Sequence, residues 1–138
     1  MRTIKFRGYN LKNKQWIYGY YLVNRGKHYI VQDEVVEPFK EASDFEVDAE
    51  SVGQFVTNVD GVDIYEGDIV SVLRPKNEYV VFYNNAQRGF MMSHYDIKPK
   101  ELNPVFLEQE NMSSRKRVIG NEYEQKLKEH YEDTEARS

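Results

Sequence analysis

The stretch "DGVDIYEGDIV", residues 60–70, gathers four carboxylates (Asp60, Asp63, Glu66 and Asp68) within nine positions. Such a density suggests a cation loop, an acid/base site or a turn. A helix-loop-helix calcium loop needs oxygen ligands at alternate positions, glycine at the sixth and a bidentate Glu at the twelfth. Here Ile64 and Tyr65 fall where ligands should stand, so no metal is expected. The turn reading accounts for more. Asp60-Gly61 is a type I′ signal and Glu66-Gly67-Asp68 a second reversal, with Ile64 and Tyr65 as packing residues between them.

Other candidate groups are sparse. His94 and Asp96 lie two apart, close enough for a carboxylate-oriented imidazole, but no nucleophile stands beside them in sequence. His28 and His130 have no such neighbour, the serines sit in no nucleophile-elbow pattern, and no glycine-rich phosphate loop occurs. The expectation is a protein that is not an enzyme and uses no cofactor.

Binding chemistry is better represented. The first third interleaves Lys12 and Lys14 with Trp16, Tyr18 and Tyr20, and stacking aromatics beside cations on a sheet are how single-stranded nucleic acids are held. The whole chain is nonetheless acidic, with a net charge of −4. Residues 1–32 contain seven Lys/Arg and no acid, whereas residues 33–70 contain twelve acids and one lysine. Such blocks should attract each other within one fold or between copies, and the acidic block would repel phosphate. "SSRKRVIG", 113–120, adds three consecutive cations and reads as a solvated turn.

The elements that must position these residues are mostly strands. "TIKFRGY" (3–9) alternates, "QWIYGYYLV" (15–23) is aromatic and β-branched, and "HYIVQ" (28–32) follows a second polar turn, so residues 1–32 read as a basic β-meander. Residues 33–58 form an acidic connector carrying Pro38. Within it Asp48 caps one helical turn that Gly53 ends. Residues 59–119 carry central strands at 69–73, 79–83 and 89–95, at hairpin spacing. A helix is predicted over 121–133, with Asn121 as N-cap, Glu124 three residues on, and Tyr123, Leu127 and Tyr131 on one stripe.

At 138 residues without cysteine, the chain is long enough to bury a core unaided, and it has no disulfide framework or thiolate chemistry. No apolar run has signal-peptide or membrane-span length, so a cytoplasmic protein that does not enter a membrane is expected.

The stretch "SVGQFVTNVDGVDIYEGDIV" (51–70), with Ile4-Lys5-Phe6-Arg7, Trp16-Ile17-Tyr18-Gly19 and Val118-Ile119-Gly120-Asn121-Glu122-Tyr123-Glu124, resembles the YopX family of bacteriophage and prophage proteins. Asn58 stands where that family usually has glycine and Glu122 where it has isoleucine, and the proline before the last helix is absent. The resemblance implies a single domain that is mainly β and SH3-barrel-like, with short antiparallel strands and a C-terminal helix. It also implies self-association and a phage origin, and it supplies no catalytic residues. The expected function is therefore an accessory protein acting in infection or lysogeny. It would be a homo-oligomeric interaction module, with an unidentified phage or host protein as its other partner. The alternative is a single-stranded nucleic-acid binder. Gly53, Gly61, Ile64, Tyr65, Glu66, Gly67 and Asp68 are then architectural.

Overall fold

A computed structural model of the chain describes residues 4–32, 41–59, 61–73, 76–95, 105–106 and 116–137. The elements run β1 (Phe6–Asn10), β2 (Gln15–Asn24), β3 (Lys27–Val31), a 3-10 turn (Ala42–Asp44) and β4 (Glu46–Val47). A second 3-10 turn (Ala49–Ser51), β5 (Gly53–Val59), β6 (Val62–Tyr65), β7 (Asp68–Leu73) and β8 (Lys76–Asn84) follow. The chain continues with β9 (Gly89–His94), β10 (Val105–Phe106), β11 (Lys116–Asn121) and α1 (Glu122–Arg137). It is mainly β with a C-terminal helix. It divides into two compact units, residues 1–55 and 56–138, with the boundary inside β5.

In the first unit the antiparallel order is β4-β3-β2-β1-β5. Arg25 (φ 52°) and Gly26 (φ 77°) both adopt positive φ, the requirement of the two-residue turn that closes β2 on β3. Alternation then sorts the strands. Ile17, Ile30 and Val47 are buried, and Phe6, Tyr21 and Val52 pack against them. Gly19 admits no side chain, because a Cβ there would stand 2.2 Å from the carbonyl oxygen of Val31. Asp48 caps the second 3-10 turn through the N–H of Glu50 (3.1 Å). Gly53 does not end that turn: Val52 is its C-cap and Gly53 opens β5. The helical signal in "DAES" is exhausted after one turn, and β1 then recruits the chain, pairing Arg7 with Gly53.

In the second unit β5 continues with β6 as its neighbour, and a separate antiparallel sheet has the order β10-β9-β8-β7-β11. Ile64, Val70 and Val81 form the core, with Val56, Val59 and Val118 against it. Along β8 the consecutive residues Tyr79, Val80, Val81 and Phe82 are all buried. Burial on both faces explains why "YVVF" is a continuous apolar run instead of an alternating one.

Among the described residues neither sheet closes into a barrel. The described strands lie in two antiparallel sheets, and the buried residues gather in two clusters, around Ile17, Ile30 and Val47 and around Ile64, Val70 and Val81. The cationic stretch also differs from its reading as a turn. Residues 116–121 form β11 on β7, with a register shift between Val118 and Gly120, while residues 113–115 lie outside the described residues. Three adjacent cations hide the strand's alternation. The helix starts as its cap predicts, the Asn121 side-chain oxygen accepting from the Glu124 N–H at 2.8 Å, and runs to Arg137.

Candidate functional site

Strand β2 carries Trp16, Tyr18, Tyr20 and Leu22 at alternate positions, so all four share the face opposite the core residue Ile17. Cross-strand partners lie on the same face of a sheet. Tyr9 is therefore beside Trp16, Arg7 beside Tyr18, Val31 beside Tyr20 and Tyr29 beside Leu22. Trp16 is half-buried, its ring in edge contact with Tyr9 (5.4 Å) and under the Arg7 guanidinium (4.7 Å). Tyr18, Tyr20 and Leu22 are 47%, 59% and 43% exposed, which makes this an apolar row open to solvent. Leu22 and its chain neighbour Val23 (53% exposed) are not evident as candidates in the sequence, although the same period-two count from Trp16 reaches Leu22.

The cations of this region are spent differently. Lys12 and Lys14 sit in the β1–β2 turn, Lys14 with φ 53°. The Lys12 ammonium is 3.1 Å from Oδ1 of Asp44, 3.9 Å from Glu41 and 3.0 Å from the Ser43 hydroxyl. Lys27 is 3.8 Å from Glu46. The basic meander and the acidic connector thus attract each other inside one unit. Asp44 also accepts from the Asn13 amide (3.1 Å) and the Glu41 N–H (3.0 Å). The Asn13 bond, then the Lys12 and Glu41 bonds, hold its carboxyl below the ordinary value of 3.8.

The acidic stretch 60–70 is built into the second unit. Asp60 lies outside the described residues. Gly61 has φ +85° and its N–H donates to the Asn58 side-chain oxygen (3.0 Å). Asp63 accepts from the Asn58 amide (2.8 Å). Ile64 and Tyr65 are buried, and buried Asp68 accepts the Tyr65 N–H at 2.8 Å. Glu66 is half-buried, and Gly67, at φ +92°, donates its N–H to the Val81 carbonyl while its own carbonyl accepts from Glu122 at the helix start, both at 2.8 Å. The turn ties β8 and α1 to the β6–β7 connection.

His94 packs against Tyr79 with ring centroids 4.5 Å apart and the ring planes tilted by 37°, and Asp96 lies outside the described residues. His28 Nδ1 is 2.5 Å from the Tyr21 hydroxyl. His130 is exposed on α1. Among the described residues no three His, Cys, Asp or Glu side chains stand together as a metal set, and no helix is long and apolar enough to cross a membrane.

A family model described as YopX protein matches residues 5–127. No curated protein and no solved structure matches the chain.

Proposed function

Since the chain belongs to the YopX family over most of its length, we propose that it is a phage or prophage accessory protein working as a homo-oligomeric interaction module. It would act in the cytoplasm of a bacterial host during infection or lysogeny, with itself and an unidentified phage or host protein as partners. The observation that carries this reading is the exposed row Tyr18, Tyr20 and Leu22 on one face of β2. Fully burying such a side chain contributes roughly 1.5–3 kcal/mol, against about 0–1 kcal/mol for an exposed ion pair. The apolar row therefore outweighs the surface charges as a source of binding energy. Residues 1–55 contain eight Lys/Arg and eight Asp/Glu, so no net charge opposes docking.

The test is light scattering after size exclusion across a concentration series. The wild type should run as an oligomer, and Tyr18→Ser with Tyr20→Ser should weaken binding to the partner or to itself without unfolding the chain. A monomer at every concentration, with the double variant unchanged in all binding, would defeat the reading.

A second reading, single-stranded nucleic-acid binding, is supported by cations against rings in the same unit: Arg7 over Trp16, and the Lys5 ammonium 5.0 Å from the Phe55 ring. It is weakened by the charge balance of residues 1–55 and by the engagement of Lys12 with Asp44. Oligonucleotide anisotropy at low salt, with Trp16 quenching as reporter, separates the two. Steeply salt-dependent binding favours nucleic acid, and no binding at low salt removes it.

A further inference from the structure

Strand β11 is bulged just before the helix begins. Val118 pairs with Val70 and Gly120 with Ile69, so Ile119 has no residue of β7 to itself. Ile119 is 49% exposed. A Cβ on Gly120 would meet no atom within 4 Å, and the φ of Gly120 lies outside the left-handed region, so what this glycine leaves is space. A glycine inside a strand often marks a bulge or the close approach of another molecule.

The space is a groove of about 370 Å3, within the roughly 300–1,000 Å3 of ligand sites. Ile69, Ile119 and Gly120 line it from the sheet. Glu78 belongs to the same face as Ile69, because its cross-strand partner Ser71 stands two residues along β7. Tyr95, whose N–H donates to the Glu78 carbonyl at 2.9 Å, lines the groove with it. Glu124 and Lys128, both exposed, line it from α1.

Two carboxylates and one ammonium therefore border an apolar groove, an excess of one negative charge. Glu124 and Lys128 are four apart on the helix with the acid toward its N-terminus, the order in which such a pair compensates best. Arg117 shares a cross-strand row with Glu78, but Ser71 lies between them, and two strand spacings amount to roughly 9–10 Å. Lysine and arginine lay an aliphatic stem along apolar surface while keeping the charged end at a polar boundary. A cation also gains from standing over a tyrosine ring.

We propose that this groove receives a lysine or arginine side chain of a protein partner, its stem on Ile69 and Ile119 and its charged end at Glu78 beside the Tyr95 ring. An anionic group would meet the excess negative charge, and a neutral apolar one would desolvate carboxylates without a counter-charge. The inference rests on the interaction-module reading for the partner being a protein, and it uses residues of the second unit alone.

The test is amide NMR of the isotope-labelled chain, titrated with a capped arginine, N-acetyl-arginine-N-methylamide, and with its neutral counterpart, capped citrulline. The arginine probe should move the signals of Ile69, Gly120 and Tyr95 saturably, and citrulline should not. Glu78→Gln should weaken the arginine probe roughly fivefold, and Lys128→Ala, which removes a like charge, should tighten it. Gly120→Leu fills the space and should abolish binding. Equal shifts with citrulline, tighter binding of capped glutamate, or unchanged affinity in Glu78→Gln overturns the site. If Gly120→Leu fails to fold, citrulline and Glu78→Gln decide. No arginine binding in a chain that self-associates overturns the groove and leaves the interaction reading. Arginine binding in a chain that is monomeric at every concentration and unaffected by Tyr18→Ser with Tyr20→Ser does the reverse.

Discussion

The Lys12 ammonium lies 3.1 Å from Oδ1 of Asp44, joining the basic first third of the chain to the acidic stretch that follows it. Asp44 is also held by Asn13 and by the Glu41 N–H, so one carboxylate anchors the β1–β2 turn to the 3-10 turn beside β4.

This arrangement sets an acid limit for the first unit. The folded Asp44 pKa is lowered from 3.8. The stabilisation it provides is therefore present above pH 3.8 and is lost as the pH falls below that value, where the unfolded chain binds the proton more readily. Thermal melts between about pH 5 and pH 2.5 should show a steeper loss for the wild type than for Asp44→Asn. Parallel curves would show that Asp44 contributes nothing to acid sensitivity.

Gly67 combines φ +92° with hydrogen bonds to Val81 and Glu122. A β-branched residue there meets backbone strain on the order of 1–3 kcal/mol and disturbs both anchors. Gly67→Val should lower the melting temperature sharply, and more than Gly61→Ala, where φ is +85° but the space around a Cβ is open. An unchanged melting curve for Gly67→Val would show that the turn is not an anchor.

Gly19 should be intolerant for a different reason. Its Cβ would meet the Val31 carbonyl oxygen at 2.2 Å, a backbone atom that cannot rotate away. Gly19→Ala is expected to weaken the β2–β3 pairing, seen as faster amide exchange at Tyr29 and Val31, the β3 residues whose N–H groups face β2, than in the second unit. Uniform exchange across both units would contradict this.

Asn10 is 1% exposed, and its amide nitrogen lies within bonding distance of the carbonyls of Ser43 (3.0 Å), Asp44 (3.1 Å) and Glu46 (2.8 Å). Asn10→Asp keeps the shape and removes the donor, turning a carboxylate toward three carbonyl oxygens. Leaving buried polar groups unpaired costs about 1–3 kcal/mol each, more when charged. Asn10→Asp should therefore be at least as destabilising as Asn10→Ala in urea denaturation. Near-wild-type stability for Asn10→Asp would remove the donor account.

Local chemistry was legible throughout the chain. Alternation at residues 3–9 and 69–73, and aromatic and β-branched runs bounded by polar turns elsewhere, revealed β1, β2, β3, β7, β8 and β9 to within a few residues, and Asn121 marked the helix start. Strands β5 and β11 were not anticipated, because each is specified by a partner distant in sequence: Phe6 and Arg7 for β5, and residues 68–72 for β11. The candidate surface divides in the same way. Period-two alternation is enough to put Trp16, Tyr18 and Tyr20 on one face of a strand, and the same count extends to Leu22. The fold was needed to show that Lys12 is held by Asp44 and that Lys27 meets Glu46, so that cations of the meander and carboxylates of the connector pair within one unit. Those outcomes depend on where β4 and its flanking 3-10 turns come to rest, and such long-range positions leave no periodic trace in the residues themselves.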